Sequence, residues 1–299
     1  MGMRISAIIT TYNQPIQLEK VMWGYARQRN ATFELIIADD GSGPATTEMI
    51  DRIARQTGLD VLHIWHSDRG FRKTEILNRA ILAARGDYLI FSDGDCIPRD
   101  DFVSAHAGLA TKGCFLSGGY IKLPKEVSAI ISVDDIKSGR AMDARTLRSL
   151  GWHPGKRALR LLRGGALPTI LDVVTPTRRT WNGHNSSTWR SAIMSVNGFD
   201  LDMAYGGLDR ALGERLINAG MRGKQVRHRT PCLHLHHERP YVDPTKWKHN
   251  HEIRKRIRRD REIRAHNGIA ELEADETVLI RRPGQLLDQR DEMRAAMAR

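Results

Sequence analysis

The sequence predicts an α/β fold: a mostly parallel, Rossmann-like sheet with flanking helices, followed by a basic helical extension. Two observations carry this. In the first hundred residues, short apolar and β-branched runs alternate with stretches whose apolar residues recur at helical spacing. Each apolar run also ends in a polar loop, and right-handed crossovers between parallel strands gather such loops on one edge of the sheet, the edge where open α/β sheets bind ligands.

The elements follow in order. Ile5-Ser6-Ala7-Ile8-Ile9-Thr10 is a first strand, broken by Thr11-Tyr12-Asn13-Gln14-Pro15 before a helix with Leu18, Val21, Met22 and Tyr25 on one face. A second strand, residues 33–38, ends in Asp39-Asp40-Gly41-Ser42-Gly43, and Pro44 suits the first turn of the next helix. A third strand, residues 61–65, leads through Ser67-Asp68-Arg69-Gly70-Phe71-Arg72-Lys73 into a helix with Ile76, Leu77, Ala80, Ile81 and Ala84 on one side. Tyr88-Leu89-Ile90-Phe91 is a fourth strand of the kind buried on both faces, and it stops at Asp93-Gly94-Asp95.

Beyond these, residues 114–123 read as one further strand. Residues 125–176 mix short helical stretches with Gly164-Gly165 and Pro168, and no chemistry follows from their spacing. Polar signals return at Trp181-Asn182-Gly183-His184-Asn185 and Tyr205-Gly206-Gly207-Leu208-Asp209, ahead of a helix with Leu212, Leu216 and Ile217 inward. Cys232-Leu233-His234-Leu235-His236 is strand-like, and from Pro244 the chain becomes a strongly basic helix.

At 299 residues and 40% hydrophobic the chain can bury a full core. Its three cysteines show no paired spacing, which points away from a disulfide framework and toward a reducing compartment. No apolar run approaches the roughly 18 residues needed to span a bilayer. The net charge of +12 would attract phosphate polyanions. Much of it lies in residues 246–264, however, and neither a nucleic-acid motif nor basic residues interleaved with stacking aromatics occurs, so no nucleic-acid partner is expected. The basic helix suits peripheral contact with an anionic membrane, giving a cytoplasmic protein at the inner face of the cell membrane.

The four loops supply a coherent set of groups. Asp93 and Asp95 flank a glycine at a strand end, where two carboxylates invite a cation between them, Mg²⁺ or Mn²⁺, which can grip a diphosphate. Tyr12 can stack on a base, Asp40 can accept a base N–H, and Arg72 or Lys73 can meet phosphate. Strand alternation sends His234 and His236 to the same side, where both can reach one ion, with His237 as the alternative.

Thr11-Tyr12-Asn13, Asp39-Asp40-Gly41-Ser42, Gly70-Phe71-Arg72 with Asn78, and Gly86-Asp87-Tyr88 through Asp93-Gly94-Asp95 resemble the successive motifs of the family 2 glycosyltransferases with the GT-A fold. The resemblance covers about the first hundred residues. It implies that Thr11, Tyr12, Asn13, Asp40, Arg72 and Asn78 hold the nucleotide of a UDP-sugar, that Asp93 faces the ribose or sugar, and that Asp95 ligates Mn²⁺ or Mg²⁺. Residues 181–209 are similar to the carboxyl-terminal part of β-galactosyltransferases and bacterial chondroitin-type polymerases. There a Gly-Gly-Glu-Asp motif supplies an acceptor-binding acid and the catalytic base. By that likeness Asp209 is the base, kept ionised by the positive end of its helix, and Trp181, Gly183, His184, Asn185 and Gly207 line the acceptor and donor pocket. Leu208 stands in place of the glutamate.

The implied protein is an inverting enzyme that moves a hexose or N-acetylhexosamine to a hydroxyl of a glycan or lipid-linked glycan. Residues 1–243 would form the catalytic domain, with 1–123 the nucleotide-sugar half and 124–243 the acceptor half. Residues 244–299 would be the extension. Two rival readings are a silent glycan- or nucleotide-binding module, suggested by Gly-Gly-Leu-Asp, and a nucleic-acid-binding protein, suggested by charge alone.

Overall fold

The computed structural model describes residues 2–238 and 243–283. Its first third alternates strand and helix: β1 (Ile5–Thr11), α1 (Pro15–Ala26), β2 (Glu34–Asp39), α2 (Pro44–Thr57), β3 (Val61–Trp65), α3 (Lys73–Ala83) and β4 (Tyr88–Asp93). There follow β5 (Cys96–Pro98), α4 (Phe102–Leu109), β6 (Cys114–Ser117) and β7 (Gly119–Lys122). Short helices α5 (Lys125–Ile130), α6 (Val133–Ser138), α7 (Ala144–Ser149) and α8 (Leu167–Val174) then lead to β8 (Asn185–Trp189) and α9 (Arg190–Ser195). The last elements are α10 (Leu208–Asn218), β9 (Arg222–Gln225), β10 (Pro231–His234), α11 (Pro244–Arg259) and β11 (Leu279–Arg281).

The main sheet runs β11-β3-β2-β1-β4-β8-β6-β9, and β5-β10-β7 forms a second, smaller sheet. Strands β1 to β4 pair in parallel, as their double-sided apolar pattern requires. Alternation splits each strand between two cores: Ile5, Ala7 and Ile9 of β1, with Tyr88 and Ile90 of β4, pack toward α1, α2 and α4. Ile8, Leu89 and Phe91 pack on the opposite face toward α3, α9, α10 and α11. Each such isoleucine or leucine contributes about 1.5–3 kcal/mol by leaving water, which holds the loop ends of β1 to β4 at one edge.

Three features differ from the sequence expectation. The single strand over residues 114–123 is two strands in different sheets, broken at Gly118, where a Cβ would overlap the Asn185 side chain. The chain beyond Pro244 is woven into the domain: β11 pairs antiparallel with β3, and Arg281 bonds Asp51 and His63. The basic helix α11 buries Ile253 and Ile257, and its charge is largely answered by carboxylates. Arg254 and Arg258 share Glu214 at 2.6 and 2.9 Å, and Arg256 meets Glu262 at 2.7 Å. Residues 284–299, the end of the expected extension, lie outside the described residues. No described helix is long and apolar enough to cross a membrane.

Candidate active site

The acidic pair sits where β4 leaves the sheet. Thr10 of β1 is in register with Asp93, and Gly94 donates its N–H to the Thr10 carbonyl at 2.7 Å. A Cβ at Gly94 would lie 2.8 Å from that carbonyl oxygen, so only glycine permits the approach. Asp93 Oδ1 accepts from Thr10 Oγ1 at 2.9 Å and from Lys73 Nζ at 2.7 Å. Burial alone would raise the Asp93 pKa, but the Lys73 ammonium holds it well below the usual carboxylate range.

Pairing of β5 with β10 sets His234 opposite Cys96, next to Asp95, and Leu235 donates to the Asp95 carbonyl at 2.9 Å. His234 Nε2 and His237 Nε2 lie 3.9 and 3.2 Å from Asp95 Oδ2. The ligand atoms of Asp95, His234 and His237 all fall within 4.8 Å of one another. His236 does not join them; its backbone N–H is fixed by Ser128 Oγ instead. The alternation argument fails there because β10 ends at His234, and the second imidazole comes from His237 instead.

Across the cleft, Asp209 occupies the first turn of α10. Its Oδ1 is buried with no hydrogen-bond partner. Burial pushes its pKa up to about 6, against the pull of the Lys73 ammonium and of the backbone N–H groups of Asp209 and Gly183. The helix end therefore does not depress this carboxylate as expected; desolvation wins. Gly183 packs directly on it, since a Cβ there would lie 2.5 Å from Asp209 Oδ1. His184 stacks edge-on to Tyr120 with ring centroids 4.6 Å apart, and burial lowers its pKa to about 4. Lys73 feels Asp93, Asp209 and Asp95 together, which outweighs its burial and raises its pKa.

The base-side loops are tied to one another. Asn13 Oδ1 accepts from Gly43 N–H at 2.9 Å, and Ser42 Oγ accepts from Asn13 N–H at 2.8 Å. The Tyr12 ring is exposed, with its hydroxyl donating to Asp68 at 2.8 Å. Thr11 ends β1 with its hydroxyl buried and unpartnered. Asp40 pairs with His66 at 2.8 Å and accepts the Arg72 backbone N–H on both oxygens, so it braces the loops after β2 and β3.

Five expected site residues have other duties. The Arg72 guanidinium is held by Glu75 at 3.0 Å, Asp275 at 3.3 Å and the Ser67 carbonyl at 3.0 Å, so Lys73 is the cation that enters the cleft. Asn78 is fully buried and bridges the Phe199 backbone, donating to its carbonyl and accepting from its N–H, both at 2.8 Å. Trp181 is a core residue against Phe91 and Phe115. Asn185 is fully buried, donating to the Gly119 and Thr230 carbonyls and contacting His106. Gly207, with φ of +92°, turns the chain into α10 beneath Arg254.

A parallel sheet whose loops surround an Asp-Gly-Asp turn, completed by a second small sheet, is the GT-A fold of nucleotide-sugar transferases. Residues 6–137 match the model of glycosyl transferase family 2. Validoxylamine A glucosyltransferase of Streptomyces hygroscopicus subsp. jinggangensis (strain 5008) is 27% identical over 227 residues, 73% of this chain and 52% of that protein. The uncharacterized glycosyltransferase YfnE of Bacillus subtilis (strain 168) is 33% identical over 105 residues, 35% of this chain and 26% of its own. The chain spans about half the length of the validoxylamine A glucosyltransferases it matches.

Among solved structures, S. aureus TarS 1-349 in complex with UDP-GlcNAc superposes with a TM-score of 0.60 at 13% identity, over 90% of this chain and 69% of that one. A mannosyltransferase from Pyrobaculum calidifontis, in complex with GDP-Man and Mn²⁺, gives 0.55 at 19% identity, over 88% and 62%.

Proposed function

We propose that the protein is an inverting, metal-dependent glycosyltransferase that moves a hexose or N-acetylhexosamine from a UDP-sugar to a hydroxyl of a growing cell-surface glycan. The observation that carries this is the arrangement of Asp95, His234 and His237 as one ligand set, with the buried, unpartnered Asp209 Oδ1 linked to it through Lys73. One carboxylate and two imidazoles suit Mn²⁺ better than Mg²⁺, which favours oxygen ligands. A divalent cation bound there would neutralise the departing diphosphate.

The chain's own groups do the rest. The exposed Tyr12 ring offers a stacking face for the base, and the Asn13 and Ser42 loops hold it in place. Lys73 orients Asp93 toward the ribose side of the donor. Asp209, ionised above pH of about 6, takes the proton of the incoming hydroxyl as that oxygen attacks the anomeric carbon from the face opposite UDP.

Incubation with a panel of UDP-sugars and Mn²⁺ tests the reading through slow donor hydrolysis. The expected result is hydrolysis of at least one donor by the parent protein and none by Asp95→Ala. A parent protein that neither binds nor splits any sugar nucleotide would end the proposal.

A further inference from the structure

One wall of the cleft carries positive charge that forms no ion pair among the described residues. Tyr120 of β7 stands beside the imidazoles, its ring centroid 4.6 Å from that of His184 and 5.4 Å from that of His234. Three arginines converge on it. Arg157 Cζ lies 5.4 Å from the Tyr120 ring centroid, and Arg160 Nη1 donates to the Tyr120 carbonyl. Arg227 packs its backbone and Cβ against the preceding Gly119, where an added Cβ would lie 2.8 Å away, and its guanidinium is close enough to act on Tyr120, Arg157 and Arg160.

Among the described residues none of the three forms an ion pair. Arg227 Nε donates to the neutral Gln225 Oε1 at 3.0 Å. Asp172, the carboxylate on this side, is already committed to His228 at 3.1 Å and Arg229 at 2.7 Å. Arg160 Nε is buried without a partner. Burial, followed by repulsion from Arg227 and Arg157, loosens the hold of Arg160 on its proton. Guanidinium groups crowded in this way gain most from a shared anion that accepts several N–H donors at once.

The anion's source follows from position. Tyr120 lies on β7, separated from β5 and its Asp95 neighbour by β10, whereas the loops expected to hold the nucleotide end β1, β2 and β3. Resting on the transferase reading, we infer that this wall receives an anionic group, phosphate or carboxylate, borne by the acceptor close to the hydroxyl that is glycosylated. The acceptor is then a phosphorylated or uronic-acid-bearing glycan rather than a neutral one.

Calorimetry in saturating UDP and Mn²⁺, which fill the donor side, tests this with glucose 6-phosphate, glucuronate and glucose as probes. At least one anionic sugar is expected to bind ten times or more tighter than glucose, and which one does so tells phosphate from carboxylate. That margin should vanish in Arg157→Ala, an exposed position whose change spares the core, and in Arg227→Gln, while UDP affinity stays within twofold. Equal binding of all three probes, a margin that survives both substitutions, or a loss of UDP affinity in their place would each overturn the inference. Absence of UDP binding by the parent protein, measured beforehand, would instead sink the transferase reading itself.

Discussion

Lys73 Nζ lies 2.7 Å from Asp93 Oδ1, and the same ammonium acts on Asp209 across the cleft. The cation pulls both half-buried carboxylates down, yet they end in opposite states: Asp93, bonded to it, is kept ionised far into acid, while desolvation pushes Asp209, without a direct partner on Oδ1, up to about 6. Environments that drive two acids apart are how one site separates an electrostatic role from a proton-accepting one.

The first prediction concerns pH. Asp209 has a folded pKa of about 6, above the unfolded aspartate value of about 3.9. The folded state therefore holds more protons between those values, and stability falls as pH rises through that window. Asp209→Asn removes this cost, stabilising the protein by at most about 3 kcal/mol above pH of about 6, with the gain fading below about 4. Transfer by the variant should fall by about 10²–10⁴, and parent activity should decline as pH drops through about 6. Denaturant melts at pH 4 and pH 7.5, with a pH–rate profile, check it; an Asn variant as active as the parent would remove Asp209 from the mechanism.

A second prediction separates the histidines. Changes outside a metal's direct ligands already cost about 10–100-fold in affinity, so His234→Ala and His237→Ala should weaken Mn²⁺ binding by on the order of tenfold or more. His236→Ala should leave it unchanged, because His236 is anchored through its backbone to Ser128. Titration of Mn²⁺ followed by electron paramagnetic resonance reads this directly. The reverse ranking would place the imidazoles wrongly.

Asn78 gives a third. Asn78→Ala leaves the Phe199 N–H and C=O buried and unbonded, at about 1–3 kcal/mol each. A loss of about 2–6 kcal/mol in thermal or urea unfolding is expected, with UDP affinity of the folded fraction unaltered. Unchanged stability with weakened UDP binding would restore Asn78 to the nucleotide site.

The parts of the molecule legible in the residues are those set by local pattern. Strands β1 to β4 could be read because each is apolar on both faces and each ends at a polar loop, so Tyr12, Asp40, Asp93 and Asp95 share an edge by topology alone. Residues whose destination depends on distant chain were not legible. Asn78 and Asn185 look like ligand contacts until Phe199 and Gly119 are seen to consume their amides. Arg72 and Lys73 are interchangeable in sequence, and only the positions of Glu75 and Asp275 decide which one turns away. β11 is three residues long and is held by Arg281 bonding to His63 and Asp51, more than two hundred positions away, a pairing that local pattern cannot reveal.

The last prediction uses Gly183. The atoms nearest to an added methyl would be those of the Asp209 carboxylate, at 2.5 and 2.8 Å. A side-chain tip can rotate away at little cost to the fold, but Asp209 would then leave the place from which it reaches the acceptor hydroxyl. Misplacement of a reacting group by about 1 Å can cost about 10²-fold. Gly183→Ala should therefore melt within about 1 kcal/mol of the parent, a typical loss for a substitution without core damage, and bind Mn²⁺ and UDP normally, yet lose transfer by 10- to 100-fold, approximately. Combined with Asp209→Asn, which already removes the base, the glycine change should add little further loss. Full multiplication of the two effects would mean that Gly183 acts on catalysis by a route other than the position of Asp209.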